Sequence, residues 1–253
     1  MRAAVAARLG ALRARAAGAL LAAPAILAVS AAATSVAGGI GGASRAYAEP
    51  VLAANRASLG SSAPRKIAYE VSRERSPDGA AWIDMRADFE TVYPFGIEEI
   101  VAVLEDYEGT PEVFSRVESV KLRSKEGDTA ITEQVSAVRI LGLAFISKLA
   151  FRVETEWAGP GRAVVSFHAI ETDGSAYLSD GSWELEAMDV GGSRSTYLRY
   201  RLETWAEPRF PGQEGIMRAF GAGDFQRTLR ELGAALRRRA GGRSAGSGAA
   251  PRG

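Results

Sequence analysis

Cysteine is absent from the 253-residue chain, and there is a single histidine, His168. Without thiols there can be no disulfide, and the fold must be held by its hydrophobic core. One imidazole and no thiolate exclude a His- or Cys-rich metal centre, and no cysteine follows the N-terminal apolar run to carry a lipid anchor. No glycine cluster leads into Gly-Lys-Ser or Gly-Lys-Thr, so a phosphate-cradling loop is missing. Basic residues are scattered apart from Arg237, Arg238 and Arg239, and no strand aromatics interleave with them. That pattern speaks against nucleic acid as a partner. No motif calls for a cofactor.

Acid is also missing from the N-terminus. The first 48 residues hold five arginines and no Asp or Glu, so the rest of the chain carries 26 basic against 30 acidic residues, a net of −4. Arg2, Arg8, Arg13 and Arg15 form a basic start. Residues 16–44 are uncharged, with Leu20, Leu21, Ile26, Leu27 and Val29 at their apolar centre. Ala46-Tyr47-Ala48 before Glu49 has the small-x-small form of a signal peptidase site. The expectation is a signal peptide over 1–48 with cleavage near Ala48, and a secreted or periplasmic product. The alternative is an uncleaved membrane anchor. A polar linker is expected at 49–64 and a disordered tail at 240–253. Between them, 65–239 is long enough for one domain with one core.

Within that domain the apolar pattern changes period three times. Residues 66–72 and 81–93 read as a hairpin around Ser76-Pro77-Asp78-Gly79. In the second strand Ile83, Met85, Ala87 and Phe89 share one face, and Asp84, Arg86, Asp88 and Glu90 the other. After Pro94, Ile97, Ile100, Val101 and Leu104 recur at helical spacing. A short turn with Thr110 as N-cap and Pro111 at the first helical position follows. Six strand-like runs come next, at 117–125, 129–138, 145–157, 162–172, 176–188 and 195–206, separated by turn-prone Gly, Asp and Pro. This is the spacing of an antiparallel meander. The apolar run 140–151 is too short to cross a membrane as a helix. Residues 214–239 read as a helix with Phe225, Leu229, Leu232 and Leu236 in one stripe, interrupted by Gly221 and Gly223 and closed by Arg237–Arg239. The fold class is α+β: a curved antiparallel sheet of about six to seven strands gripping a long C-terminal helix. Such a grip leaves a cavity between sheet and helix, so the chain reads as a container.

With its elements placed, the chain resembles the START-like helix-grip superfamily, the SRPBCC group, and within it the polyketide-cyclase and coenzyme-Q-binding-protein-like branch. The resemblance spans about residues 80–239. It rests on Phe89 with Val92-Tyr93, on Asp106-Tyr107 before Pro111-Glu112-Val113-Phe114, on 117–120, on Gly181-x-Trp183 and on the closing helix. It implies a cavity holding a lipid, quinone, polyketide or other apolar molecule. Most relatives of this kind work in the cytosol or mitochondrion, so an export signal is a departure.

Strand parity and helix phase nominate a ligand cavity lined by Tyr177, Ser179, Trp183, Tyr200, Thr204, Met217, Phe220 and Asp224. The polar members are costly to bury without partners, which points to a wet or ligand-filled space. The expected function is non-covalent binding of an apolar small molecule, its polar end oriented by a few hydroxyls. Loops around Gly142 and 210–215 are candidate gates, and transient membrane contact for ligand exchange is compatible with this reading. One alternative is a cyclase- or aromatase-like enzyme using Tyr, Asp or His168 in the same cavity. The other is a partner-binding module whose cavity is vestigial. Glu105, Asp106 and Glu108 are expected to be a solvated helix end rather than a Ca²⁺ site.

Overall fold

The computed structural model of the chain describes residues 63–75, 79–140 and 143–246. The expected signal peptide, nearly all of the linker, Gly142 and the last residues of the expected tail lie outside the described residues. Eight strands form one sheet: β1 (Arg65–Arg75), β2 (Ala81–Tyr93), β3 (Val117–Glu126), β4 (Thr129–Ile140), β5 (Leu143–Trp157), β6 (Arg162–Thr172), β7 (Ala176–Val190) and β8 (Ser193–Ala206). Their spatial order is β1-β2-β8-β7-β6-β5-β4-β3, and every neighbouring pair is antiparallel. Helices α1 (Ile97–Leu104) and α2 (Thr110–Val113) carry the chain from β2 to the opposite edge, and α3 (Gln213–Gly246) follows the last strand.

The meander follows from the turns. Gly127, Gly159, Gly174, Gly191 and Gly192 all have φ between 57° and 87°, the left-handed region that tight hairpins need and that glycine enters without a Cβ penalty. The sheet has eight strands rather than six to seven because β1 pairs with β2 along its whole length. Its sequence alternates poorly, since it is an edge strand with Val71 as its one fully buried side chain.

One end of the grip is a dry core. Ile97, Ile100 and Val101 of α1 meet Leu229, Leu232 and Leu236 of α3, with Leu185 and Leu198 of the sheet beneath. The α3 stripe is almost entirely shielded from solvent, Leu229 and Leu232 completely. Each such side chain contributes about 1.5–3 kcal/mol by burial. Tyr93 reaches across this core, and its hydroxyl donates to the Leu229 carbonyl at 2.5 Å.

The closing helix is longer than its sequence pattern. It runs on through the expected tail to Gly246, so Arg237–Arg239 lie within it instead of capping it. Two of these arginines tie α3 to the helices that precede β3. Arg238 donates to the Glu112 carbonyl at 3.3 Å and Arg239 to the Ala102 carbonyl at 3.2 Å, while Arg239 also pairs with Asp106. Glu105 is likewise engaged, accepting from Thr155 Oγ1 at 2.7 Å and pairing with Lys125 Nζ at 3.2 Å. The acidic end of α1 is thus a bracket between sheet and α3.

Candidate functional site

Between the N-terminal half of α3 and strands β3 to β8 lies a cavity of about 400 Å³, while the same half of α3 stays in touch with β1 through Tyr69 and Arg218. This is within the range of small-molecule sites. Met217, Gly221, Asp224, Phe225 and Thr228 face it from α3, at the three- and four-residue steps of one helix face. The sheet supplies Val165 and Phe167 from β6, Ser179 and Trp183 from β7, and Tyr200, Leu202 and Thr204 from β8. Strands β3 to β5 add Val120, Thr132, Gln134, Ser136, Leu149, Phe151 and Val153.

Its floor is aromatic. Trp183 and Tyr200 lie with ring centroids 4.2 Å apart, and Tyr200 continues to Phe225 at 5.9 Å and Phe167 at 6.3 Å. Phe114 covers the far side of Trp183 at 6.1 Å. Contacts at these separations add roughly 0.5–1.5 kcal/mol each beyond their buried area. Burial holds the Tyr200 hydroxyl well above the ordinary tyrosine pKa, so it stays a neutral donor and acceptor.

Polar groups are few and placed. Ser179 Oγ and Thr204 Oγ1 lie 3.4 Å apart across β7 and β8. Tyr69, from β1, crosses to α3 and donates to the Met217 carbonyl at 2.7 Å. Burial pushes its pKa up to about 12, with Arg116 opposing and Asp224 reinforcing that shift. Arg116, between α2 and β3, sits 3.6 Å from Asp224 and 5.7 Å from the Phe225 ring centroid.

Six of the eight residues nominated from sequence face this cavity: Ser179, Trp183, Tyr200, Thr204, Met217 and Asp224. Tyr177 does not. A register shift between Ala176 and Leu178 places an extra residue there, so strand parity breaks and Ala176 lines the cavity in its place. Phe220 does not either; it is half exposed, one helical step off the face marked by Gly221. His168 is on the outer face of β6, where its Nδ1 lies 3.5 Å from Asp180 Oδ2, while its neighbour Phe167 points inward. A cyclase-like use of this cavity would therefore have to proceed without the histidine.

Sequence reasoning missed Tyr69, Arg116, Thr132, Gln134 and Ser136. Alternation in β4 carried the signal for Thr132, Gln134 and Ser136, three polar residues at two-residue spacing on the face shared with Ala130. Arg116 showed itself only as a lone charge between the apolar Phe114 and Val117. Gly221 stood out in the sequence as an interruption of the helical stripe, and its cause lies in β1. A Cβ at this position would collide with the Tyr69 hydroxyl, so it is a side chain of β1 that approaches the helix backbone here.

No family model and no curated protein sequence matches the chain. Solved structures do. The STAR-related lipid transfer protein of Xanthomonas axonopodis superposes with a TM-score of 0.50 at 16% identity, covering 66% of this chain and 98% of its own. Human StAR-related lipid transfer protein 5 gives 0.53 at 14%, over 78% of this chain and 96% of its own. Human STARD10 gives 0.51 at 9%, over 74% and 79%. At these identities the likeness establishes the fold. The chain has the START-like helix-grip fold.

Proposed function

We propose that the domain binds an apolar small molecule non-covalently, a lipid, quinone or polyketide-like compound held between the sheet and α3. The observation that carries this reading is the cavity itself: about 400 Å³ walled by aromatic and aliphatic side chains, with hydroxyls at a few fixed points. Its apolar surface excludes water and supplies affinity, while Ser179, Thr204 and Tyr200 orient a polar end. Two of the similar structures are lipid transfer proteins by name, which supports the same class of ligand.

Exchange of such a ligand needs a mouth. Phe210, Gln213 and Ile216 line the cavity beside Ile146, which is half exposed, and Arg209 Nη1 reaches the Ile146 carbonyl at 3.4 Å. This apolar rim supports transient contact with a membrane surface during exchange, with the segment before α3 as the gate. Among the described residues no helix is long and apolar enough to cross a membrane. The basic start, uncharged run and Ala46-Tyr47-Ala48 support export of the domain.

Native mass spectrometry of the chain beginning at Glu49, purified from its own envelope fraction and followed by solvent extraction, tests the reading. The expected result is a stoichiometric apolar adduct released by the solvent. An unliganded mass that persists after incubation with lipid and quinone mixtures would overturn it.

A further inference from the structure

The proposal that follows rests on the container reading and adds the chemistry of the ligand's polar end. Among the described residues Arg116 and Arg209 are the cations of the cavity wall; Arg209 is at the rim beside Ile146, and the Arg116 guanidinium is held by an ion pair with Asp224 rather than by a close hydrogen bond. Asp224 Oδ2 is 3.6 Å away, beyond hydrogen-bond distance, and the Phe225 ring lies beneath it at 5.7 Å. The neighbouring phenol is already used, since Tyr69 donates to the Met217 carbonyl. A guanidinium offers five N–H donors in a planar fork that matches a carboxylate in two parallel bonds.

Asp224 has a second counter-ion. Its Oδ1 is 3.3 Å from Arg227, which is mostly exposed and one helical turn away, while Asp224 itself is largely buried. Arg116 can therefore turn from Asp224 to a ligand without leaving a buried carboxylate uncompensated, which would be strongly unfavourable. Arg116 and Arg227 flank Asp224, so a ligand anion that takes up Arg116 leaves Asp224 paired with Arg227. A carboxylate brings Arg116 one negative charge, whereas a dianionic phosphate would place its second charge beside Asp224.

We propose that the ligand is an amphiphilic acid, an apolar chain or ring system ending in one carboxylate, and that Arg116 receives that carboxylate. Asp224 is the internal anion the ligand displaces, and Arg227 holds Asp224 when it does. The Phe225 ring under the guanidinium keeps the fork facing the cavity in both states.

Fluorescence titration of the folded protein with cis-parinaric acid and with its methyl ester tests this at one pH, since the two probes differ only in charge at the end. The wild-type protein is expected to bind the acid at least about tenfold more tightly than the ester, a difference of about 1.4 kcal/mol. Arg116→Gln should abolish that preference while still binding the ester, which also reports that the variant is folded. Asp224→Asn should tighten the acid and leave the ester unchanged. Equal affinities in the wild type, or an equal loss of both probes in Arg116→Gln with its circular dichroism intact, would overturn the proposal. Ester binding without acid preference overturns this inference alone. If neither probe enters, the container reading falls with it.

Discussion

Two glycines, eight and ten residues from the start of α3, show how different two chemically identical positions can be. At Gly221 the Tyr69 hydroxyl occupies the space a Cβ would need, whereas nothing lies within 4 Å of a Cβ built at Gly223. Gly221→Ala should therefore destabilise the domain by about 1–3 kcal/mol through overpacking. Gly223→Ala should stabilise it by up to about 1 kcal/mol through helix propensity. Urea unfolding of both variants measures the contrast, and equal effects would show that Tyr69 does not crowd the helix. In a Tyr69→Phe background, which lacks the colliding hydroxyl, Gly221→Ala should cost less than it does in the wild type, the signature of direct coupling. In sequence the pair of glycines looked alike because the residue that separates them comes from β1, about 150 positions earlier.

Among the elements, the strands whose side chains alternate cleanly were legible to the residue. The bounds of β2 and β6 are those the pattern gives, because a strand with one face on the core and one in water writes its period into the sequence. Where the period is interrupted, inference failed. The bulge in β7 moved Tyr177 off the cavity, and β1, whose hairpin was expected over 66–72, extends to Arg65–Arg75. The outer face of β6 and β7 carries a prediction of its own. His168 and Asp180 are register partners, with Arg152 of β5 paired across the other side of His168 and Glu154 close by. The hydrogen bond that the imidazole donates to Asp180 is the largest influence on it and raises its pKa, against an opposing effect of burial. A raised value in the folded state means the protonated form favours folding. That stabilisation is fully present below the unfolded value of about 6.5 and is lost as pH rises through the folded value. The stability difference between wild type and His168→Gln should accordingly be larger at pH ~5 than at pH ~9. A difference that does not change with pH would show that the pair is not formed in solution.

At the scale of the whole molecule, the long helix divides its labour. Its second half closes a dry core with Leu229, Leu232 and Leu236, and its first half roofs a cavity beside Asp224 and Phe225. The apolar stripe and its place in the grip could be read from spacing, but spacing alone could not say that the helix leaves a gap over β3 to β8 at one end while holding β1. That depends on Tyr69 of β1 and on Phe114 and Arg116 of the link between α2 and β3, two segments far apart in sequence. The same division makes the container reading testable without knowing the natural ligand. Thr132 is buried in the cavity wall on β4. If the space beside it is empty when no ligand is bound, Thr132→Phe fills a void, and the unliganded melting temperature should hold or rise. If the interior were already packed, the same change would overpack it and cost about 1–3 kcal/mol. Ligand linkage supplies the second half of the test. The methyl ester of cis-parinaric acid at a hundred times its dissociation constant should stabilise the wild type by about 2.7 kcal/mol, or roughly 5–10 °C for a domain of this size. Thr132→Phe should lose that shift while keeping its unliganded stability. A variant that is destabilised, or that responds to the probe as the wild type does, would place the binding site elsewhere.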